Sequence, residues 1–302
     1  MTRVLVTGAT GFIGRQTFAP LLAAGVEVDA ISSRPTPSAA PPGVRWHELD
    51  LLSADSEKAV TALGASHLLH LAWTTEPGRF WTSSQNLDWL EASLRLTRAF
   101  VRGGGRRMVI AGTCAEYAWE DQTHCRERDT PIRPASLYGT TKHALHITAA
   151  AYARQAGLSM AWGRIFFVFG PNEQRGRLAS SVVEALLRGE TAPCSHGDQI
   201  RDFLFAPDLA EAFATLTMSE VTGAVNMASG APIRVRDLIM AIAEATGRPD
   251  LVALGARPTS PDEPASLTAD IGRLRDEVGW SPGVSLHEAV ERTVSWWRNE
   301  LA

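Results

Sequence analysis

The chain has 302 residues, a formal net charge of −4 at pH 7 and an apolar content of 45%. These values are typical of a soluble globular enzyme of one large or two modest domains. The small negative charge and the lack of a run rich in lysine and arginine argue against nucleic acid or an anionic membrane as the main partner.

The cysteines and the hydropathy pattern indicate in which cellular compartment the protein is expected. Cys114, Cys125 and Cys194 are odd in number and form no C-x-x-C pair, so neither a disulfide framework nor a zinc site is expected. No apolar run reaches about 18 residues, and the first strand begins too early for a signal peptide. We therefore expect a cytoplasmic protein that does not span a membrane.

The first predicted element is an apolar strand that ends in a glycine-rich turn and continues as an amphipathic helix through Leu22. Gly8, Gly11 and Gly14 have the spacing G-x-x-G-x-x-G. The first allows a tight turn, the second lets backbone approach a pyrophosphate, and the third lets the helix pack against the strand. The turn predicts a dinucleotide site, to which we also assign Thr10, Phe12 and Ile13.

Further apolar strands alternate with helical patterns along the first half of the chain. The predicted strands are Val26–Ile31, Val44–Leu49, His67–Leu71, Arg107–Ala111 and Ser159–Phe166. This alternation predicts an α/β fold with a doubly wound parallel sheet of the Rossmann type. Ligands of such sheets bind at the carboxyl ends of the strands. The segment 35–43, rich in proline, alanine and serine, is expected to be a surface loop over the adenosine end.

After Pro171, helical patterns alternate with proline-bearing loops. The predicted helices are Leu178–Leu187, Asp237–Thr246, Ile271–Val278 and Leu286–Trp297. We expect residues 1–170 to form the dinucleotide-binding domain, a segment near 204–230 to return to it, and residues 171–302 to form a smaller α+β substrate-binding region.

Tyr138 and Lys142 are one helical turn apart, so their side chains project from the same face of a predicted helix. A phenol titrates near pH 10 in isolation, and a neighbouring ammonium group favours the phenolate. The pair is therefore a candidate for proton transfer near neutral pH. The alternative is a partly exposed helix pair without a chemical role.

Together with Thr113, these motifs resemble the extended short-chain dehydrogenase/reductase superfamily, which includes nucleotide-sugar epimerases, dehydratases and ketoreductases. The resemblance covers almost the whole chain and includes the segments 164–171, 201–203, 208–210 and 279–282. It implies that Thr113, Tyr138 and Lys142 are catalytic. It also implies a nicotinamide dinucleotide site that includes Asp50 near the adenine amine, with Leu51, Leu71, Ala72, Trp73, Asn86, Tyr138, Lys142 and Phe166.

The choice of dinucleotide depends on the end of the second strand, where members that bind NAD commonly have an acidic residue. This chain has Ser32, Ser33 and Arg34 there. A guanidinium can pair with a 2′-phosphate and serines can donate to it, which favours NADP(H) over NAD(H). The alternative is that Arg34 is a solvated loop residue and NAD(H) is bound.

Departures from the family pattern concern the substrate. Cys114 and Ala115 stand where related 4,6-dehydratases have Asp-Glu, so that type of dehydration is not expected. Phe167 replaces an asparagine that contacts substrate in many relatives. Diphosphate binding is then assigned to Arg201 and Arg257. The alternative for either arginine is a role in a solvent-exposed salt bridge. The other candidate substrate contacts are Thr74, Thr75, Thr113, Cys114 and Ala115.

The leading hypothesis is an NADPH-dependent reductase of a 4-keto-6-deoxyhexose linked to a nucleoside diphosphate, similar to CDP-abequose synthase-like ketoreductases. A nucleotide-sugar epimerase is the alternative, and a non-catalytic dinucleotide sensor is a third. By the same resemblance, the helices over Leu87–Val101 and His143–Ala153 are where a homodimer would form. His124, His143 and His146 have no spacing that suggests a metal site.

Overall fold

The structure is a computed structural model that describes residues 2–35, 40–120, 122–259 and 263–302. In chain order the strands are β1 (Arg3–Thr7), β2 (Glu27–Ser32), β3 (Val44–Glu48), β4 (His67–His70), β5 (Arg107–Thr113), β6 (Gln122–Cys125), β7 (Ser159–Ile165), β8 (Phe167–Phe169), β9 (Ala192–Pro193), β10 (Ile200–Arg201), β11 (Phe203–Phe205), β12 (Gly223–Met227), β13 (Ile233–Arg234), β14 (Val252–Ala253) and β15 (Ser266–Ala269). The helices are α1 (Phe18–Ala23), α2 (Ser56–Leu63), α3 (Gln85–Arg102), α4 (Leu137–Ala156), α5 (Leu178–Leu187), α6 (Ala206–Met218), α7 (Val235–Thr246) and α8 (Leu286–Leu301).

Seven parallel strands form the central sheet in the order β12-β7-β5-β4-β1-β2-β3. The chain moves outward from β1 to β3 and then returns to β4 on the other side of β1. The carboxyl ends of β1 and β4 therefore border the crevice where ligands of doubly wound sheets bind. The predicted Rossmann-type fold is confirmed.

Helices cover both faces of this sheet. Successive strand residues point to opposite sides, so a continuously apolar strand has apolar side chains to bury on each face. Val4 and Val6 pack with apolar residues of α1 and α6, whereas Leu5 packs with the layer formed by α2, α3 and α4. Burial on both faces explains why the central strands are almost continuously apolar.

The C-terminal part has its own apolar core between α5, α7 and α8. It is joined by a mixed four-stranded sheet in the order β13-β10-β15-β6 and by two pairs of short strands. The chain crosses between the two parts: β12 and α6 pack in the central sheet region, and β6 pairs with β15. The division into two domains with the boundaries given above stays a prediction.

The helix after the glycine turn and the helix expected over 271–278 differ most from the sequence expectation, and α8 extends four residues beyond its predicted end, to Leu301. After the glycine turn the chain forms a 3-10 turn at Gly14–Gln16, and α1 begins only at Phe18. The Thr17 hydroxyl donates to the Gly14 carbonyl at 2.7 Å, and Pro20 has no N–H for the Gln16 carbonyl, so both residues disfavour a regular α-helix before Phe18. The helix expected over 271–278 is a single π-helical turn at Arg273–Glu277.

Part of the predicted surface loop over 35–43 lies outside the described residues. Within the described part of the chain, no helix combines the length and the apolar character needed to cross a membrane.

Candidate active site

The glycine turn after β1 is built from a very close approach of two backbone segments. Gly8 has a φ of +67°, and a Cβ atom there would lie 2.8 Å from the backbone nitrogen of Ala72. At Gly14 a Cβ atom would lie 2.2 Å from the Gly8 carbonyl oxygen. Side chains at either position would thus collide with backbone, which moves less easily than a flexible side chain. This narrow backbone cradle fits the pyrophosphate of a dinucleotide.

The end of β4 is held against this turn by a buried histidine. His70 Nδ1 lies 2.6 Å from the Thr7 hydroxyl and His70 Nε2 lies 2.9 Å from the Ser93 hydroxyl. Burial lowers the pKa of His70 to about 3, and the nearby Lys142 contributes. The imidazole is therefore neutral and serves to join β1, β4 and α3.

Thr113 and Tyr138 meet at the wall of the crevice. Thr113 is the last residue of β5, and Tyr138 lies in the first turn of α4, whose Ser136 hydroxyl accepts from the Gly139 N–H at 3.1 Å. Burial raises the pKa of the Tyr138 phenol, and a hydrogen bond from the Thr113 side chain opposes that shift. Two hydroxyl groups are thus presented to one position in the crevice.

Aromatic rings enclose the Tyr138 phenol. The rings of Phe80 and Trp81 meet it edge to face, with centroids 4.9 Å and 5.7 Å away, and the Tyr138 N–H donates to the Trp81 carbonyl. Trp81 in turn contacts Trp119. These contacts keep water away from the phenol and account for its raised pKa.

Lys142 lies one turn after Tyr138 and is buried, with 4% of its surface exposed. Its ammonium donates to the Ala111 carbonyl at 2.9 Å and lies 3.9 Å from the centroid of the Trp73 ring. Burial lowers its pKa to about 7, while the charge of Glu116 acts in the opposite direction. The sequence led us to expect that this ammonium would lower the pKa of Tyr138. The burial of the phenol outweighs such an effect in this structure.

Glu116 lies behind Thr113, on the side away from the cleft, and is completely buried. Its Oε1 accepts from the Thr113 N–H at 2.9 Å and from the Trp162 indole at 2.8 Å, and its Oε2 accepts from Arg164 Nε at 3.1 Å. The side chain therefore positions Thr113 and neutralises a buried guanidinium.

Two histidines of α4 approach the same carboxylate. Ligating atoms of Glu116, His143 and His146 all lie within 4.8 Å of one another, a proximity that their sequence spacing did not suggest. His146 stacks on Trp162 with ring centroids 4.7 Å apart. Since Arg164 already pairs with Glu116, a cation beside these histidines would face a buried positive charge.

His146 makes stability depend on pH. Burial, with a contribution from Arg164, lowers its pKa from 6.5 to about 3. The unfolded chain therefore binds this proton near pH 6.5, and the stabilisation present above that pH is lost as pH falls towards 3. At pH 5 this one group should cost about 2 kcal/mol of unfolding free energy.

Urea unfolding at about pH 7.5 and about pH 5 measures this difference. His146→Phe should lose about 2 kcal/mol less than the parent between the two pH values. His287→Phe is the matched control, because that side chain is 83% exposed. An equal loss in parent and His146→Phe would contradict the assignment.

A cleft of about 640 Å³ opens in front of these groups, between the glycine turn, α4 and the C-terminal region. It brings together many of the residues predicted for the site. Those that line it are Gly8, Gly11, Phe12, Ile13, Gly14, Leu71, Ala72, Trp73, Thr75, Thr113, Cys114, Tyr138, Phe166, Phe167 and Arg201.

Other predicted cofactor residues lie at the margin of the cleft or behind it. Ser32 ends β2, with its hydroxyl accepting from the Arg34 N–H, and Ser33 and Arg34 are exposed. Asp50 is exposed and accepts from the Leu52 N–H, whereas Leu51 is buried in the core. Thr10 borders a separate groove, and Asn86 is buried, with its amide bonded to protein groups.

The predicted substrate residues are also divided. Thr74 is partly buried and donates to Gln85, Ala115 is buried beside Gly139, and Arg257 is exposed. Arg201 does line the cleft, where it is buried and pairs with Glu263 at 2.8 Å. Burial lowers the pKa of Arg201 and Glu263 opposes that shift.

Sequence reasoning missed several cleft residues. Glu173 is 5% exposed, and burial raises its pKa to about 8; its carboxylate accepts from the Ser180 N–H at the start of α5. Its position just after the Gly170-Pro171 segment was the available signal. Trp119 and Gln199 also line the cleft, and neither carries a pattern that singles it out.

Residues 4–228 match the NAD dependent epimerase/dehydratase family. The chain belongs to this family. Within the NAD dependent epimerase/dehydratase family it is similar to the UDP-glucose 4-epimerase of Mycolicibacterium smegmatis, with 28% identity over 315 residues and 99% of each chain covered. The UDP-glucose 4-epimerase of Corynebacterium glutamicum is 26% identical over 307 residues, which cover 93% of this chain and 91% of that one.

Two solved structures similar to this chain have the same fold. MoeE5 in complex with UDP-glucose and NAD is 30% identical, with a TM-score of 0.84 and coverage of 99% and 100%. The UDP-glucose 4-epimerase of Thermus thermophilus in complex with NAD is 26% identical, with a TM-score of 0.86 and coverage of 98% and 99%. Membership of the extended short-chain dehydrogenase/reductase superfamily is confirmed. The ketoreductase subtype stays a prediction.

Proposed function

We propose that the protein is a nucleotide-sugar epimerase that oxidises and re-reduces one carbon of its substrate with a tightly held nicotinamide dinucleotide. The observation that carries this proposal is the placing of Thr113 and the buried Tyr138 on one wall of the cleft, with buried Lys142 one turn away. The UDP-glucose 4-epimerases described above support epimerisation more directly than net reduction.

In this proposal each residue of the site has a separate role. A bound nicotinamide dinucleotide would take up a hydride and return it. Tyr138 removes the proton of a sugar hydroxyl and later returns it to the ketone oxygen, and Thr113 holds the same oxygen. Lys142 donates one of its three N–H groups to the Ala111 carbonyl, so the other two can donate to a ribose. Phe80 and Trp81 exclude water.

Elimination of water from the sugar is not part of the proposal. Cys114 and Ala115 follow Thr113, and neither supplies a carboxylate. Burial raises the pKa of the Cys114 thiol, so it stays neutral at physiological pH. With Phe167, Cys114 forms part of an apolar wall of the cleft.

A second candidate is the NADPH-dependent reduction of a 4-keto-6-deoxyhexose. The observation that favours it is the end of β2, where Ser32, Ser33 and Arg34 replace an acidic residue. These three residues contribute no carboxylate of their own that would repel a 2′-phosphate. NADP(H) preference belongs to this candidate, whereas NAD(H) suits the first.

One pair of assays tests both candidates. The purified protein is incubated with UDP-glucose, UDP-galactose or UDP-glucuronic acid, and the products are identified by NMR. In parallel, nucleotide-linked keto-sugars are supplied with NADPH or NADH and the absorbance is followed. Inversion at one carbon without net consumption of dinucleotide supports the epimerase. Stoichiometric oxidation of NADPH supports the reductase, and dinucleotide binding without turnover would contradict both and favour the sensor.

We further propose that the substrate diphosphate binds near Arg201, the buried cleft arginine, with Arg257 as a second candidate. Arg201 is buried against Glu263, and its guanidinium lies 5.4 Å from the Phe167 ring. A guanidinium fork suits a diphosphate. Arg201→Gln should raise KM more than it lowers kcat.

We propose a homodimer through α3 and α4, which pack side by side. Leu87 on α3 and Ile147 on α4 are 53% and 54% exposed. Leu87→Glu should shift the protein to a monomer in light scattering, because a charge would be buried in an apolar contact. Leu254→Glu is the matched control, since Leu254 is 43% exposed on another part of the chain. An unchanged mass of Leu87→Glu would exclude this contact.

A further inference from the structure

The indole of Trp73 is the second partner of the Lys142 ammonium. Lys142 Nζ lies 3.9 Å from the centroid of this ring and 2.9 Å from the Ala111 carbonyl oxygen. The face of an indole carries negative charge density that attracts a cation, and the attraction is strongest where water is excluded. Lys142 meets this condition because it is buried.

Trp73 is itself held by the side-chain amide of Asn86, whose oxygen and nitrogen both form hydrogen bonds within the protein. Its Nε1 donates to Asn86 Oδ1 at 2.8 Å, and Asn86 Nδ2 donates to the carbonyls of Phe80 and Ser83 at 2.7 Å and 2.8 Å. Asn86 is completely buried. These bonds fix the ring plane, and they connect it to the segment whose Phe80 and Trp81 enclose Tyr138.

Few other charges face Lys142. From the segment after β5, Glu116 favours the ammonium form. From the end of β4, His70 is neutral, and Tyr138 precedes Lys142 on α4. The carbonyl of Ala111 satisfies one of three N–H donors. The ring, 3.9 Å from Lys142 Nζ, can therefore stabilise the positive charge without taking up a donor.

We propose that Trp73 is a positioning residue, whose indole face holds the Lys142 ammonium in its charged form and in place, with Asn86 fixing the ring. The donors of Lys142 then remain available to a ribose. The consequence for turnover rests on the proposed function, but the effect on Lys142 does not.

The chain offers a direct measurement, because Lys58 and Lys142 are its only lysines. Lysine labelled with ¹³C at Cε gives two NMR signals, and the exposed Lys58 is the internal reference. Trp73 is replaced by mono-, di- and trifluorinated tryptophan, which weakens the ring's negative face while it keeps shape and burial. The titration midpoint of Lys142 should fall with each fluorine, by up to about one pH unit in total.

Trp89 supplies the matched control. Its ring lies 6.3 Å from that of Trp73, and the same analogues at this position should leave the Lys142 midpoint unchanged. A Lys142 midpoint that does not respond to fluorination of Trp73, or responds equally at Trp89, overturns the proposal. The titration needs no substrate, so its failure is distinguishable from failure of the proposed function.

Turnover supplies the second readout. In the fluorinated series, the alkaline limb of the pH profile of kcat/KM should move to lower pH together with the NMR midpoint, because the required ammonium is lost earlier. A rate that falls equally at every pH would reveal a merely structural effect and contradict the role in positioning. Trp73→Phe, which keeps a ring face, should retain more activity at alkaline pH than Trp73→Leu.

Discussion

Tyr138→Phe should lower kcat by about 10²–10⁴, the range that a positioned general acid or base contributes. The phenol and the Thr113 hydroxyl address one position in the cleft, and the phenol is enclosed by Phe80 and Trp81. Removing a single oxygen atom leaves this packing intact. The loss should therefore appear in kcat, while dinucleotide binding and the unfolding temperature change little.

Tyr152→Phe is the matched control, because Tyr152 lies near the other end of the same helix. Initial rates with the substrate identified above, together with a fluorescence titration of the dinucleotide, separate chemistry from binding. A kcat of Tyr138→Phe within about threefold of the parent would rule out the proton-transfer role.

The second large effect concerns stability. Glu116→Ala should lower the free energy of unfolding by about 3–5 kcal/mol, since breaking a buried ion pair leaves an uncompensated charge. Arg164, which is 3% exposed, would lose its carboxylate and keep, among the described residues, only the neutral Tyr117 hydroxyl as a side-chain acceptor, and the Trp162 indole and Thr113 N–H would lose their acceptor. Urea unfolding at pH 7.5 measures the change.

Glu120→Ala provides the comparison, because the Glu120–Arg133 pair is about 70% exposed on both sides. Exposed pairs contribute about 0–1 kcal/mol. A loss below about 1 kcal/mol for Glu116→Ala would show that the buried network can relax around the missing carboxylate.

Thr113 and Glu116 lie in one short segment after β5 and have different roles. Thr113 faces the cleft, whereas Glu116 accepts the Thr113 N–H from behind and anchors it to Arg164. The capping arrangement after β5 therefore fixes the hydroxyl that shares its position with Tyr138. We expect Glu116→Gln to keep more activity than Glu116→Ala, because an amide oxygen can still accept from Thr113.

Much of the fold could be predicted from the sequence, because its signals are local. The apolar runs became the predicted strands β2, β3, β4, β5 and β7 with end shifts of at most two residues, and α5 has the predicted bounds. The glycine turn was recognisable because Gly8 and Gly14 meet constraints that only glycine satisfies. Spacing alone also put Tyr138 and Lys142 on one helix face.

Only the tertiary structure decided the electrostatics of the site and the pairing of distant residues. Burial, which depends on Phe80 and Trp81 from another segment, raises the pKa of Tyr138 rather than lowering it. Strand pairing brings β6 to β15, and packing brings Glu263 to Arg201. The Trp73 contact with Lys142 likewise joins residues 69 positions apart. Such contacts depend on how elements meet in space, whereas the sequence by itself determined most strands of the central sheet and the glycine turn, because these signals are local.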